Sequence, residues 1–546
     1  MSKLKNWTIP ANDVALGTPV PKAKTNTMKR TIRTVLFLVL LGLFACGQAH
    51  KTVQTPTTPP TKDDGRFSFA ILAMNDVYEI NALEGGKVGG MARVATVKKE
   101  LIYETPYVVT LHAGDFLNPS LLGNIKVNGE KLKGRQMVDV MNAVGIDWVV
   151  PGNHEFDLKR EELQQRIDES RFRWVVANAW ERLPDTLMPF HKNLPDGTKR
   201  YFPPYAKWEV EDEDGTVVTI GIVAVTTPFA KTDYNEITDP FDAVDSTLKL
   251  MGDCDLVIGL THLDWKKDVE LANRFPAIDL IVGGHDHYHM DKTSRYAHVT
   301  KADANARTVY IHRIEIDKNR DTVIIDSKLK ALDTTVTPDP FVQTIVDKWE
   351  KIGNDAVRAT GIDPDRTLTH LARPLDGREI AIRDHPTGLG RMVAKALLAA
   401  SDRQADCAFI NSGSIRIDDY VEGDITGRDV MRILPFGGPA SDVHIHGALL
   451  KQVLDAGLQN RGRGGYLQWA GIQYDEKQNQ WIIGDKPLDL NKTYTCVAPD
   501  YVLHGHEYGI EFLNPENAGL EILPRPDGSL LRDIRVAVAH YLQNKK

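Results

Sequence analysis

Four cysteines in 546 residues are too few and too scattered to staple a fold. Cys46 lies near the start, and Cys254, Cys407 and Cys496 are widely spaced and odd in number. They outline neither a disulfide framework nor a zinc site, and read as small buried residues. The chain also has no excess of positive charge. Its 66 Lys and Arg face 74 Asp and Glu, a net charge of -8. That excludes a general nucleic-acid-binding surface, which needs clustered cations. No internal repeat at a period of about 20 to 50 residues marks a solenoid. The apolar run from Val35 to Ala45 has 11 residues, short of the roughly 20 that a bilayer-spanning helix requires. What is present, 42% hydrophobic and 26% charged residues, is ordinary for a soluble globular protein. Length alone suggests three or four domains, a prior that one large α/β unit lowers.

The short apolar run has a place. Met28-Lys29-Arg30 through Arg33 is a basic n-region, and Val35 to Ala45 is the h-region of a signal peptide. It ends in Leu43-Phe44-Ala45-Cys46, which resembles a bacterial lipobox with Cys46 as the lipidated residue. Residues 1–27 precede a complete signal, so translation is expected to start at Met28. The signal therefore covers 28–46. Residues 47–65, rich in Thr, Pro, Lys and Asp, form a flexible tether. The expected location is the bacterial cell envelope, lipid-anchored, periplasmic or at the cell surface.

Further on, short apolar runs end in polar clusters. Phe67 to Met74 leads to Asn75-Asp76, and Val108 to Ala113 to Gly114-Asp115. Trp148 to Val150 leads to Gly152-Asn153-His154-Glu155-Phe156-Asp157, Leu256 to Leu260 to Thr261-His262, and Leu280 to Val282 to Gly283-Gly284-His285-Asp286-His287. Buried strands with ligands at their carboxyl ends describe an α/β active site. Met91 to Glu104 and Glu161 to Ser170 have helical spacing, and Thr216 to Thr226 is a Val- and Ile-rich strand. Residues 66–333 read as one layered α/β domain, 334–360 as a connector containing a helix, and 361–546 as a second α/β domain.

The residue types suit metal-assisted hydrolysis of a phosphate ester. Two ions about 3.5–4 Å apart neutralise the phosphate and acidify a water. Carboxylate oxygens and imidazole nitrogens suit Zn, Mn, Fe or Co. Asp115 is the natural bridging ligand, Asn153 offers a neutral oxygen, and His262, His285 and His287 offer nitrogens. His285 and His287 are two apart and point the same way on an extended segment. Lone histidines such as His112, His289 and His370 read as structural or solvated.

This motif set resembles the calcineurin-like metallophosphoesterases. Its longer form, Gly152 to Asp157, resembles their 5'-nucleotidase and UDP-sugar hydrolase branch. The resemblance implies an N-terminal four-layer α/β/β/α domain and a C-terminal α/β substrate-recognition domain that rotates to carry substrate to the metals, with the connector at 334–360 as the hinge. It implies that Asp76, Asp115 and His287 hold one metal, and Asp115, Asn153, His262 and His285 the other. The pair would be divalent or mixed-valence. His154 would stabilise the phosphoryl transition state, oriented by Asp157. One position departs from the pattern: the family has Asp-x-His where this chain has Asp76-Val77-Tyr78. Either Tyr78 packs beside the site and one metal has a ligand fewer, or it binds a trivalent iron as phenolate.

In the second domain, Asn411-Ser412-Gly413-Ser414-Ile415-Arg416 follows the strand-like Cys407 to Ile410. Small residues let the backbone approach a ligand, and Arg416 can clamp a phosphate. Leu434-Pro435-Phe436-Gly437-Gly438 and Asp500-Tyr501 follow in the order of 5'-nucleotidase C-terminal domains. The resemblance makes Phe436 and Tyr501 the rings that sandwich a base, and sets Asn411 and Arg416 near phosphate or base. Where the family has Gly-Gly-Asp, this chain has His504-Gly505-His506-Glu507, so Glu507 is expected to take the ribose hydroxyls. The helix start Gly388-Leu389-Gly390-Arg391 lacks an Arg found in some members, for which Arg383 or Arg391 can compensate.

The expected activity is release of phosphate from nucleoside 5'-monophosphates by metal-activated water. Alternatives with the same chemistry are 2',3'-cyclic nucleotides, UDP-sugars or a sulfur-carrier thiosulfonate. A non-catalytic surface nucleotide-binding protein is the alternative of another class. The partners expected are the nucleotide and the membrane lipid, with no nucleic acid and no obligate protein partner.

Overall fold

A computed structural model describes residues 63–228, 232–417 and 419–544. The signal, the lipobox and the tether up to residue 62 lie outside the described residues. Among the described residues no helix is long and apolar enough to cross a membrane.

Two six-stranded sheets build the first domain. One runs in the order Thr322–Ala331, Thr308–Asp317, Arg66–Met74, Val108–His112, Trp148–Val149, Arg173–Trp174. The other runs Tyr205–Glu211, Val217–Thr226, Leu256–His262, Leu280–Gly283, His298–Lys301, Met290–Thr293. Side chains alternate along a strand, and the second sheet shows what that does. Ile220, Ile222, Ala224, Ile258, Leu260, Leu280 and Val282 join the core shared with the first sheet. Val223, Val225, Val257 and Ile281 face the opposite way, into a separate core with Phe241 and Leu271 of the helices Pro240–Met251 and Trp265–Arg274. Burial on both faces explains why these strands are continuous apolar runs. Helices Met91–Glu104, Arg135–Val144 and Arg160–Glu169 contribute to the shared core from the side of the first sheet. The result is the four-layer helix–sheet–sheet–helix arrangement expected from the resemblance.

The helix Pro340–Ala359 follows. Asp339 caps it by accepting from Val342 N, and Pro340 starts it with its φ already suited to a helix. Its buried face carries Val342, Val346, Trp349 and Val357, and Trp349 Nε1 donates to Asp139 Oδ2 at 2.9 Å. The helix is thereby fastened to the first domain.

The second domain has a five-stranded mixed sheet in the order Leu467–Ala470, Cys407–Asn411, Thr493–Pro499, Ala440–His446, Leu520–Ile522. Helices Gly388–Ala399 and Ile534–Asn544 share one core, and Gly447–Gln459 belongs to another. Cys407 and Cys496 are buried, as expected, but they are not isolated. They pair on adjacent parallel strands with their sulfurs 3.0 Å apart.

Candidate active site

The polar clusters of the first domain meet at the carboxyl ends of both sheets. Asp76, Asp115 and Asn153 lie just past strands Arg66–Met74, Val108–His112 and Trp148–Val149. His262 ends its strand, and His285 and His287 follow Leu280–Gly283. The backbone there is unusual. Asp76, Asp115, His285 and His287 all have positive φ, at 51°, 59°, 83° and 63°. Such strain in non-glycine residues gathers at functional sites. Two glycines make the approach possible. A Cβ on Gly152 would stand 2.1 Å from Asp115 Oδ1, and one on Gly114 2.6 Å from His262 Nδ1.

Two groups of metal-capable donors result, Asp115 with His262 and His285, and Asp76 with Asp115 and His287. Asp115 belongs to both. His262 is fully buried, and its Nδ1 lies 2.7 Å from Ala113 O, so Nδ1 carries the proton. That leaves Nε2 facing Asp115 Oδ2 at 3.1 Å and Asn153 Oδ1 at 3.2 Å, a common way to orient a ligating imidazole. Asp76 Oδ1 is buried with no hydrogen-bond partner, and His287 Nε2 is 3.3 Å away. A cation between them would satisfy both, so the residues fit a metal.

The electrostatics agree. Burial opposes charge on Asp76 and Asp115, but neighbouring histidines outweigh it and hold both carboxyls below the ordinary range. Burial also opposes a charged His262, yet Asp115 and Asp76 carry it up to about 9. Burial, then charged His262, pushes His285 down to about 4. Two buried carboxylates held ionised, beside an uncharged His285, are donors that a cation can use.

Residues that sequence reasoning did not single out hold these loops. Glu155 is fully buried, and its carboxylate accepts from four backbone N–H groups. The donors are Asp115, Phe116, Leu117 and Gly152, at 2.6–3.0 Å. Lys301 Nζ donates to Leu263 O at 2.6 Å and Gly284 O at 2.7 Å, so it ties the loops of His262 and His285 together. Asp268 and Asp286 neutralise it at 2.7 and 2.5 Å. Glu155 stands inside the Gly152–Asp157 motif, where its acidic type was the available signal. Lys301 ends the short strand His298–Lys301, whose sequence gives no hint of its role.

His154 begins a short 3-10 turn, His154–Asp157. Its backbone N–H donates to Asp115 Oδ1 at 2.8 Å, and its Nδ1 lies 2.7 Å from Asp157 Oδ2. Burial disfavours its charged form, but Asp115 and Asp157 outweigh that and raise its pKa. Asn118 also donates to Asp157, at 2.8 Å. From the second domain Arg416 reaches across, with Nη2 3.4 Å from His154 Nδ1. Glu379 lies 3.4 Å from Arg416 and 2.6 Å from Arg383. Arg383 therefore stands in this cluster, whereas Arg391 is exposed on its helix. Asn411 donates to Glu507 at 2.5 Å. Phe436 and Tyr501 are 46% and 51% exposed. The Asp500 N–H donates to Pro439 O at 2.9 Å, which brings the two ring-bearing segments to one end of the sheet. His112 is buried in the core, and His289 and His370 pair with Asp303 and Asp424 at the surface.

This fold and this site define a metal-dependent phosphoesterase. Residues 69–289 match the family described as calcineurin-like phosphoesterase, and residues 367–513 match the 5'-nucleotidase C-terminal domain. The 5'-nucleotidase of Bos taurus is 25% identical over 519 residues, covering 82% of this chain and 85% of that protein. A 5'-nucleotidase of Vibrio cholerae is 26% identical over 421 residues, covering 66% and 71%. The crystal structure of a 5'-nucleotidase precursor from Thermus thermophilus superposes with a TM-score of 0.61 at 21% identity, covering 87% of this chain and 96% of that one. The chain belongs to the 5'-nucleotidase family of calcineurin-like phosphoesterases.

Proposed function

We propose that the chain hydrolyses nucleoside 5'-monophosphates at a two-metal centre, outside the cytoplasm. The observation that carries this reading is the pair of donor groups sharing Asp115, with His154 between them and Arg416 of the second domain. Asp76, Asp115 and His287 would hold one ion, and Asp115, Asn153, His262 and His285 the second. Such a pair supplies Lewis acidity that neutralises phosphate oxygens and lowers the pKa of an attacking water. His154, with Nδ1 held by Asp157, directs Nε2 toward a phosphoryl oxygen as charge builds there. Arg416 adds a second cation on the same side. Phe436 and Tyr501 stack on the base, and Asn411 and Glu507 take the sugar and phosphate edge.

The domains are read as 66–333, 334–360 and 361–546. Since Trp349 and its neighbours fasten the connector helix to the first domain, the pivot between domains is assigned to its far end, at Thr360 to Arg366. Cys46 is read as the lipid-bearing residue of an envelope protein. A Cys46→Ser variant that still partitions with membranes would refute the anchor.

The function is tested by phosphate release from AMP, UDP-glucose and 2',3'-cyclic AMP with Mn, Zn, Co or Fe supplied. AMP turnover is expected, abolished by chelation and reduced roughly 10²–10⁴-fold in His154→Ala. No turnover of any of the three with any metal would reject it.

A further inference from the structure

Tyr78 stands where the family pattern carries histidine, and the structure shows what its ring does. It is 8% exposed and lies against His287, with ring centroids 5.4 Å apart. Asn305 fixes its backbone by accepting from the N–H groups of Tyr78 and Glu79 at 3.0 and 3.1 Å. The hydroxyl is 3.0 Å from His287 Nε2 and 3.2 Å from Asp115 Oδ2. His287 Nε2 is in turn 3.3 Å from Asp76 Oδ1. Ligand atoms about 2.0–2.2 Å from one ion stand roughly 3.0–3.5 Å from each other, the edge of a coordination polyhedron. All three spacings fall on that edge. The phenol oxygen is therefore a corner of the same donor group as Asp76, Asp115 and His287.

We propose that Tyr78 is a ligand of the ion held by Asp76, Asp115 and His287, that it binds as phenolate, and that this ion is iron(III). On binding, the O–H bond breaks, the proton leaves to solvent, and both electrons of that bond remain on the oxygen that bonds the iron. The charge balance supports the oxidation state. This group then offers three anionic oxygens and one nitrogen, a hard set suited to a trivalent cation. The other group offers one shared carboxylate, a neutral amide oxygen and two imidazoles, a set suited to a divalent ion. The inference rests on the metal-centred reading above and adds to it one ligand and one oxidation state.

The test is spectroscopic. The metal-free full chain is loaded with ferric citrate and then a zinc salt, and bound metals are counted by mass spectrometry. Visible absorption and resonance Raman spectra then look for a phenolate-to-iron(III) charge-transfer band. The expected result is one iron and one zinc per chain with the band present. Tyr78→Phe keeps the ring and is expected to lose the band. Tyr78→His, which restores the family pattern, is expected to bind metal without the band. A band that survives in Tyr78→Phe, or bound iron without a band, overturns the assignment. So does retention of zinc with rejection of iron. In each of these cases AMP hydrolysis by the divalent-loaded protein would leave the nucleotidase reading standing. A chain that retains no metal at all overturns both.

Discussion

Glu155 makes its contribution through one carboxylate shared among four backbone donors. Those donors belong to the segments that present Asp115 and Asn153, so the side chain sets where those two residues stand. Glu155→Gln keeps the shape but turns an NH2 group toward two of the N–H donors. The expected cost is on the order of 3 kcal/mol, read as a lower denaturant midpoint together with weaker metal retention. An unchanged midpoint would mean that the loops hold themselves. The acidic type of Glu155 is visible within its motif, but its four partners are not, since three of them come from a segment about 40 residues earlier. Tyr78 is a similar case. Its departure from the pattern is legible, and the two readings of it cannot be separated without knowing that His287, 209 residues away, faces the hydroxyl.

At the scale of elements, the connector helix depends on its first turn. Asp339 caps Val342 N and also pairs with Lys99, so it both starts the helix and ties it to Met91–Glu104. Asp339→Ala is expected to cost about 1 kcal/mol, the usual value of an N-cap. Asp339→Asn keeps a capping oxygen and should recover most of that. Urea unfolding of both variants checks this, and equal losses would assign the effect to the Lys99 pair instead. Elements were the most legible level. The Met91 to Glu104 helix and the apolar strands matched closely, because periodicity and burial are local properties. Strand ends shifted by a residue or two, as at Leu256–His262, where the strand runs on to include His262.

At the scale of the whole molecule, charged bridges cross between the domains beside an apolar core that runs through both. Arg307 of the first domain holds Glu84 at 2.6 Å and also pairs with Asp419 of the second. Arg428 of the second domain pairs with Glu350 and donates to Asn354 at 2.5 Å on the connector helix. Partly exposed pairs of this kind are individually weak, so removing both is expected to free the domains without unfolding either. Spin labels at the exposed Tyr103 and Tyr508 should report a broader distance distribution in an Arg307→Ala, Arg428→Ala variant. An unchanged narrow distribution would show that apolar contacts hold the domains instead. By itself the sequence determined the layered α/β class, the order of the polar motifs and the metal-dependent class of enzyme, because each motif is a few adjacent residues at the end of a strand. Only the tertiary structure decided that Lys301 ties the loops of His262 and His285, that Cys407 meets Cys496, that Tyr78 enters the donor cluster, and that Arg416 reaches His154. Those contacts close stretches of chain from 17 residues, for Lys301 and Gly284, to 262 residues, for Arg416 and His154. The packing of whole sheets and domains fixes such distances, and no local pattern records it.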